Sequence, residues 1–277
     1  VGRPNICVLS LELREPGGIW MEKSSTLVGN KCAVFSNSSS TTGVMVRDTA
    51  QLRADTVCSA GGVDGENNIS PGPLVDCPQF EDPLASRPEP VIGGCDYNNS
   101  VFDSVTATLS PGVYCGGLRI KGTSRITLAP GNYLIKDGLF SISDTAEVGG
   151  DGVSFLLGPV TFLFFGPETT ISLAASRKGE LAGLLFFGSR TQSKLITHTI
   201  LSKNARTMLG TIYFPSNSFI VDGSAQIGQE AAYTAIVARR VVLMSGPNLV
   251  LNTNYDLTDV PVPDGIRGAG QPVSLVK

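Results

Sequence analysis

The chain has 277 residues, of which 42% are hydrophobic and 16% are charged, so it can bury a sizeable core as one large domain or two ordinary ones. Its 32 glycines and 17 prolines predict packed strands joined by many tight turns and argue against long helices. A net charge of −3 supplies no basic field, which argues against nucleic acid and anionic membrane surfaces as partners.

Residues 1–61 form a β-rich segment that we expect to supply the first coils of a solenoid. Candidate strands cover residues 6–11, 25–28, 33–35 and 44–46. Two of these regions open alike, with Cys7-Val8-Leu9-Ser10 in one and Cys32-Ala33-Val34-Phe35-Ser36 in the other. The similarity indicates equivalent rungs of one stack, each led by a cysteine.

The composition changes between residues 62 and 100. Six prolines lie between Pro71 and Pro90, with several acidic residues and few β-branched ones. Such a stretch is typical of an excursion or linker. Because Cys77 and Cys95 lie within it, we expect it to be pinned down, as a cap over the first end of the solenoid.

Residues 101–254 contain a phrase that occurs twice: Ser110-Pro111-Gly112-Val113-Tyr114 and Ala129-Pro130-Gly131-Asn132-Tyr133. The two tyrosines are 19 residues apart, and each phrase closes one short apolar run and opens the next. Proline presets φ in a turn and glycine supplies the positive φ that follows, so each Pro-Gly marks a corner. A period of about 20 residues with strands between corners predicts an all-β fold, a parallel β-helix, right-handed by the usual rule for parallel crossovers.

An antiparallel β-sandwich with evenly spaced hairpins is the alternative fold. The Asn-Gly and Asp-Gly pairs that signal tight hairpins are few, which favours the β-helix. Residues 255–277 contain Pro261, Pro263 and Pro272 and predict an extended C-terminal tail or a lateral strap.

Six cysteines lie in the first 115 residues, at Cys7, Cys32, Cys58, Cys77, Cys95 and Cys115. Zinc sites need close pairs such as Cys-x-x-Cys, and none is present, so disulfides in an exported protein are the better interpretation. Six cysteines allow 15 connectivities. Stacked coils bring residues one period apart together, so we expect neighbours to pair: Cys7 with Cys32, Cys58 with Cys77, and Cys95 with Cys115.

Candidate catalytic residues are few. His198 is the only histidine, and alternation along its strand indicates a surface side chain that is either hydrogen-bonded or solvated. A β-helical polysaccharide lyase or hydrolase would use carboxylates on one lateral face, for which the candidates are Asp137, Asp144, Glu147 and Asp151. Asp137-Gly138 and Asp151-Gly152 are equally typical of turns, so the sequence predicts no catalytic residue, no metal site and no cofactor.

Several phrases together resemble a known family. These are the two Pro-Gly phrases with their continuations, Cys115-Gly116-Gly117 and Leu134-Ile135-Lys136-Asp137-Gly138, and three others: Met208-Leu209-Gly210-Thr211-Ile212-Tyr213-Phe214-Pro215, Asn5-Ile6-Cys7-Val8-Leu9, and Asp82-Pro83-Leu84. The pattern is similar to the exported C-terminal region of the TadG-like proteins of bacterial tight-adherence (Flp/Tad) pilus assembly. The likeness covers most of the chain, from Asn5 to about Leu251.

The resemblance implies a non-enzymatic, minor-pilin-like component in the periplasm or at the cell surface. It further implies other pilus-assembly or envelope proteins as partners, and contact with the inner membrane only through an N-terminal anchor that precedes this chain. Some relatives carry a von Willebrand type A domain with a metal-ion site. The Asp-x-Ser-x-Ser motif of that site is missing here, so the resemblance transfers no metal.

Three alternatives stay open at this point. One is a glycan-active β-helix enzyme built on the four carboxylates. Another is a carbohydrate-binding module that holds a surface glycan through exposed aromatics such as Trp20, Tyr97 or Tyr255. The last is self-association through an uncapped end of the solenoid.

Overall fold

The structure, a computed structural model, describes residues 3–268. It is all-β, with 23 strands and two short 3-10 helices, Glu66–Asn68 and Tyr255–Leu257. The strands before residue 71 are β1 (Ile6–Ser10), β2 (Ile19–Met21), β3 (Thr26–Gly29), β4 (Ala33–Ser36), β5 (Val44–Val46), β6 (Gln51–Arg53), β7 (Thr56–Ser59), β8 (Val63–Asp64) and β9 (Ile69–Ser70).

The remaining strands follow after residue 96. They are β10 (Tyr97–Asp103), β11 (Thr106–Leu109), β12 (Gly112–Lys121), β13 (Arg125–Leu128), β14 (Gly131–Ile142), β15 (Glu147–Gly150), β16 (Val153–Phe165), β17 (Thr170–Ala174), β18 (Leu184–Gly188), β19 (Thr197–Ile200), β20 (Asn204–Asp222), β21 (Gln226–Ile227), β22 (Thr234–Met244) and β23 (Asn248–Leu251). No helix in residues 3–268 has the length and apolar character needed to cross a bilayer.

The ladders between these strands are parallel. Tyr133 pairs with Phe155, and Ile126 pairs with Val148, in each case 22 residues further along the chain. The one antiparallel contact recorded in residues 3–268 is an isolated bridge between Tyr233 and Thr253. The hairpin ladders of an antiparallel sandwich are therefore not found among the described strands.

Two series of ladders run through the rungs of residues 97–251. One joins β10, β12, β14, β16, the pair β18 and β19, β20 and β22. The other joins β11, β13, β15, β17, β20, β21 and β23. Each rung thus contributes residues to both series, with β18 and β19 sharing one place and the long strand β20 taking part in both, and the side chains between the series form the main core.

The order of rungs in space differs from their order in the chain. We expected residues 1–61 to precede residue 101 in the stack, but β1 pairs with β22 on one side and with β4 on the other. β3 likewise pairs with β23. Residues 6–70 therefore extend the far end of the stack, beyond Leu251. A strand's apolar pattern does not specify which of two equivalent edges it joins, so the sequence could not settle this order.

The doubled phrase has a structural explanation. The hydroxyl of Tyr114 donates to the carbonyl of Ser110 at 2.7 Å, and that of Tyr133 donates to the carbonyl of Ala129 at 2.9 Å. Each tyrosine thus closes its own turn, four residues back, while its ring joins the core. The rings of Tyr97, Tyr114, Tyr133, Phe155, Phe186 and Phe214 form a series with centroids 4.6 to 6.2 Å apart.

All six cysteines are paired as neighbours: Cys7–Cys32, Cys58–Cys77 and Cys95–Cys115, with Cα atoms 5.6, 6.1 and 5.7 Å apart. The predicted connectivity is confirmed. The first bond joins adjacent rungs, because Ile6 pairs with Ala33 next to it. The other two hold both ends of the proline-rich excursion to the stack.

Residues 71–96, which we call the strap, return along the side of the stack from β9 to β10. Leu74 forms an isolated parallel bridge with Cys58 and so covers the outer edge of β7, at the end of the stack formed by residues 56–70. Further along, Arg87 donates to the carbonyls of Glu180 and Ala182, and Gly93 accepts from Lys136. We expected residues 62–100 to cap the first end of the solenoid. Only the beginning of the strap covers an end of the stack, and that end is the far one, formed by residues 56–70.

The strap explains why several strands are apolar on both faces. All five residues of β1 are buried, as are those of β18. Leu84 of the strap and Ile266 of the C-terminal segment are buried with Leu9, Phe187 and other outward-facing side chains in a second apolar cluster. Ile266 also accepts from the backbone of Ile6 at 2.9 Å. The predicted tail thus lies along the stack as far as residue 268, and residues 269–277 lie outside the described part of the chain.

The corner at Gly131 provides a test of the stacking. Its φ of +142° disfavours L side chains, and a Cβ there would lie 2.7 Å from the ring of Pro111 in the rung below. We expect Gly131→Ala to lower the free energy of unfolding by about 1–3 kcal/mol, as measured by denaturant titration. Gly149→Ala is the control, since a Cβ there would meet its nearest atom at 3.9 Å. Equal stability of the two variants would contradict the close stacking of the Pro-Gly corners.

Candidate functional site

One recess lies among the loops that follow β1 and β18, next to a smaller one that the strap lines. It has a volume of about 800 Å3 and adjoins a second recess of about 510 Å3, with which it shares Leu11, Leu13 and Pro215. We call the two together the strap groove. Four cationic side chains line its larger part, namely Arg14, Arg190, Lys194 and Arg239.

One wall of the strap groove is organised by Glu12, which follows β1. One carboxylate oxygen accepts from the backbone N–H groups of Leu13, Arg14 and Glu15 at 3.1 to 3.3 Å. The other accepts from Arg239 at 2.6 Å, and the two side chains are only 8% and 15% exposed. Glu12 thus fixes the loop that follows β1 to a cation on β22.

The pKa of Glu12 reflects this environment. Burial alone would raise the pKa, but hydrogen bonds from the Arg14 backbone, the Arg239 guanidinium and the Glu15 backbone outweigh it and hold the pKa below its ordinary value. Glu12 is therefore ionised at neutral pH. The carboxylate of Glu12 therefore compensates the charge of Arg239. Arg14 and Lys194 are the cationic side chains of the groove that face solvent.

The opposite wall is organised by Arg190, which follows β18. Its guanidinium donates to the carbonyls of Leu84 and Arg87 at 2.7 and 2.9 Å. It also lies over the ring of Phe187, 4.9 Å from the centroid. Arg190 therefore ties the strap to the stack through hydrogen bonds and a cation–π contact.

Tyr213 and Asn37 add to this attachment. The hydroxyl of Tyr213 donates to Asp82 at 2.8 Å, and burial raises the pKa of Tyr213, so this donor stays protonated. The amide of Asn37 donates to the carbonyl of Phe80 at 2.8 Å and accepts from the Phe80 N–H at 2.7 Å. Polar side chains of the stack thus satisfy the backbone of the strap, which has no ladder of its own.

His198 is buried, so the prediction of a surface side chain is wrong, and its Nδ1 has no hydrogen-bond partner among residues 3–268. Its ring stacks on Phe214 with centroids 4.1 Å apart, and its Nε2 lies 3.0 Å from the amide oxygen of Gln192. The amide nitrogen of Gln192 donates to the carbonyl of Gly158, so its oxygen accepts from His198 and Nε2 carries the proton. Burial lowers the pKa of His198 to about 3, which keeps the ring neutral.

The structure does not bring the four candidate carboxylates together. Asp137 accepts from the backbone of Gly116, and Asp144 accepts from that of Gly122 at 2.8 Å. Glu147 pairs with Arg125 at 3.3 Å, and Asp151 pairs with Arg177 at 2.8 Å. Each carboxylate stabilises a different contact between neighbouring rungs or with the segments beside them.

The three aromatic candidates are also separated. Trp20 lies on β2, between β5 and β22, whereas Tyr97 begins β10 at the other end of the stack. Tyr255 is partly buried against the edge of Tyr233, with centroids 5.5 Å apart. They form no common platform for a sugar ring.

Sequence reasoning missed the strap groove. Its residues come from stretches that are distant in sequence, near 12, 80, 190, 215 and 239, and they meet only through the path of the whole chain. One signal was visible: Arg239-Arg240 interrupts the apolar run from Ala235 to Met244. Two cations within a buried strand call for an acidic partner, which the structure identifies as Glu12 for the first of them.

Among residues 3–268, no group of three or more histidine, cysteine, aspartate or glutamate side chains is placed to hold a metal ion. Comparison with family models, with curated proteins and with solved structures found no match.

The Glu12–Arg239 pair yields a prediction about stability and pH. Glu12→Gln leaves the buried Arg239 without a counter-charge, so we expect a loss of roughly 3 kcal/mol in the free energy of unfolding at pH 7. Because the folded-state pKa of Glu12 is depressed, its stabilisation is present above its ordinary value of 4.5 and is lost as pH falls through the lower folded value. Denaturant titrations between pH 3 and pH 7 should therefore show the two proteins converging at the acid end.

The control is Glu147→Gln, which breaks an ion pair whose side chains are 50% and 70% exposed. We expect that change to cost less than about 1 kcal/mol. A Glu12→Gln protein as stable as this control at pH 7 would show that the pair does not organise the groove.

Proposed function

We propose that this chain is a non-enzymatic cell-envelope domain of bacterial tight-adherence (Flp) pilus assembly or surface adhesion, of minor-pilin-like character. The observation that carries the proposal is the set of three disulfides, two of which fasten the strap at both ends. Three disulfides and no free cysteine indicate an oxidising, extracytoplasmic environment. The phrases that resemble TadG-like proteins supply the link to pili.

We infer that the ladders wind as a single right-handed parallel β-helix. Support comes from the parallel pairing of residues about one period apart, as Gly131 with Val153, in both series of ladders. A chain that returns to a parallel neighbour in this way takes the right-handed crossover in nearly all proteins. Such a rod presents long lateral faces, which suits a structural or adhesive part of an envelope assembly.

The environment of the carboxylates supports a non-enzymatic role. A glycosidase needs two carboxylates on either side of one bond, within about 10 Å of each other and free to exchange protons. Here Asp137 and Asp144 accept backbone hydrogen bonds, and Glu147 and Asp151 are paired with arginines. Their observed partners account for them as structural residues.

A carbohydrate-binding role is the second candidate, and the strap groove favours it. Arg14 and Lys194 face solvent there, over apolar side chains of Leu11, Leu13 and Pro215. An extended acidic glycan offers carboxylates to such cations and apolar ring faces to the floor. The groove is therefore the surface at which we propose that such a glycan would bind.

The proposal is tested by deleting the region that encodes this chain in its host and counting surface pili by electron microscopy. We expect pili to be lost and then restored by a plasmid copy. Restoration by a copy with Arg14→Glu and Lys194→Glu would separate assembly from glycan binding.

Normal pili on the deletion strain would contradict a role in assembly. If those cells also lost retention on an acidic polysaccharide surface, and the double charge reversal failed to restore it, the second candidate would replace the first. A Lys203→Glu copy serves as the control, because Lys203 pairs with Glu168 away from the groove.

A further inference from the structure

The two ends of the stack differ in how their strands are protected. At the end formed by residues 56–70, β8 and β9 have only two residues each, and Leu74 bridges the outer edge of β7. Pro71 and Pro73 follow directly. Short strands, prolines and a covering segment are the usual devices that stop a sheet edge from pairing with another chain.

The other end, formed by residues 97–109, has none of these devices in the described chain. β10 pairs with β12 and β11 pairs with β13, and neither has a partner on its outer side in residues 3–268. The stretch contains no lysine and no proline, and Asp103, its one charged residue, is paired with Lys121 of the next rung at 3.0 Å. Two open edges, in two different sheets, therefore lie side by side.

Apolar side chains are exposed at the same place. Tyr97, Val101 and Val105 are 36%, 49% and 41% exposed. Tyr97 is the final ring of the aromatic series, stacked on Tyr114 on one face. The next two rings of the series, Tyr114 and Tyr133, are at most 2% exposed. The core of the stack is thus open to solvent at this end.

We propose that this end is a self-association surface at which two copies of the chain meet end to end about a twofold axis. A partner at this end must pair with the open edges of both β10 and β11, at the spacing of those two strands. It must also cover the aromatic rings that lie between them. A single extended peptide completes one edge only. The same end of a second copy offers two edges with the same spacing and a matching apolar centre.

The protection of the far end decides the kind of assembly. Because one end alone carries long open edges, two copies meet through identical surfaces, and the result is a closed dimer and not a filament. About 13 residues from each copy take part, fewer than the 20–30 of a standard interface, so we expect a weak dimer in the micromolar range. This inference holds whether or not the chain acts in pilus assembly.

The test is sedimentation equilibrium of the purified, oxidised chain from roughly 1 to 500 μM, beside two double variants. We expect the wild-type chain to dimerise and Val101→Lys with Val105→Lys to weaken the dimer by at least about tenfold, since lysines on an edge oppose pairing. Val160→Lys with Leu195→Lys is the matched control, because those side chains are 58% and 90% exposed away from this end and should leave dimerisation unchanged.

Amide hydrogen exchange provides the second measurement. In the dimer, we expect exchange of the outward N–H groups of residues 97–109 to slow by at least about tenfold relative to dilute protein. A chain that stays monomeric at all concentrations would overturn the proposal. So would a dimer that is unaffected by the end variant, or one in which these amides exchange as fast as in the monomer.

Discussion

Parallel pairing between rungs is the constraint on which the rest of this structure depends. A strand here satisfies its backbone through parallel ladders with the rungs next to it, which lie about one period away in most of the chain and far away in sequence where β1 meets β22. No rung is stable alone. Three features follow from this constraint. The same turn residues recur at the corners, each end of the stack has strand edges that need a partner or a cover, and the chain connects rungs in an order that differs from their order in space.

The corners and the cysteines were predictable because they depend on local chemistry. Gly131 needs a positive φ next to a proline of the rung below, and Tyr133 closes its turn from four residues away. Neighbouring cysteines lie one period apart, so the stacking alone selected Cys7–Cys32, Cys58–Cys77 and Cys95–Cys115 from the 15 connectivities. The turn residues, the period and the pairing are all properties of short stretches.

The position of residues 6–70 and the strap groove were not predictable for the opposite reason. β1 fits the edge of β22 through inward apolar side chains that resemble those of any other rung. The groove needs Glu12, Arg190 and Arg239, which meet only because the strap and the displaced N-terminal rungs bring their loops together. Such contacts depend on the path of the whole chain, and the hydrophobic periodicity of single strands does not predict that path.

The strap connects these features to function. It covers the outward apolar faces of several strands, carries two of the three disulfides and forms one side of the groove. The disulfide between Cys58 and Cys77 holds the strap against the end near residue 70, and the end near residue 97 has no such cover in residues 3–268. The three disulfides indicate an oxidising, extracytoplasmic environment.

The most direct test of the account is the distance between the two ends of the stack. Spin labels at Arg53 and Thr106, introduced as unnatural amino acids so that the native cysteines stay paired, would report it by pulsed dipolar spectroscopy. Eight ladders separate the two positions, so at about 4.8 Å each the account predicts roughly 40 Å. A distance near 10 Å, as expected if residues 6–70 preceded residue 97 in the stack, would contradict it.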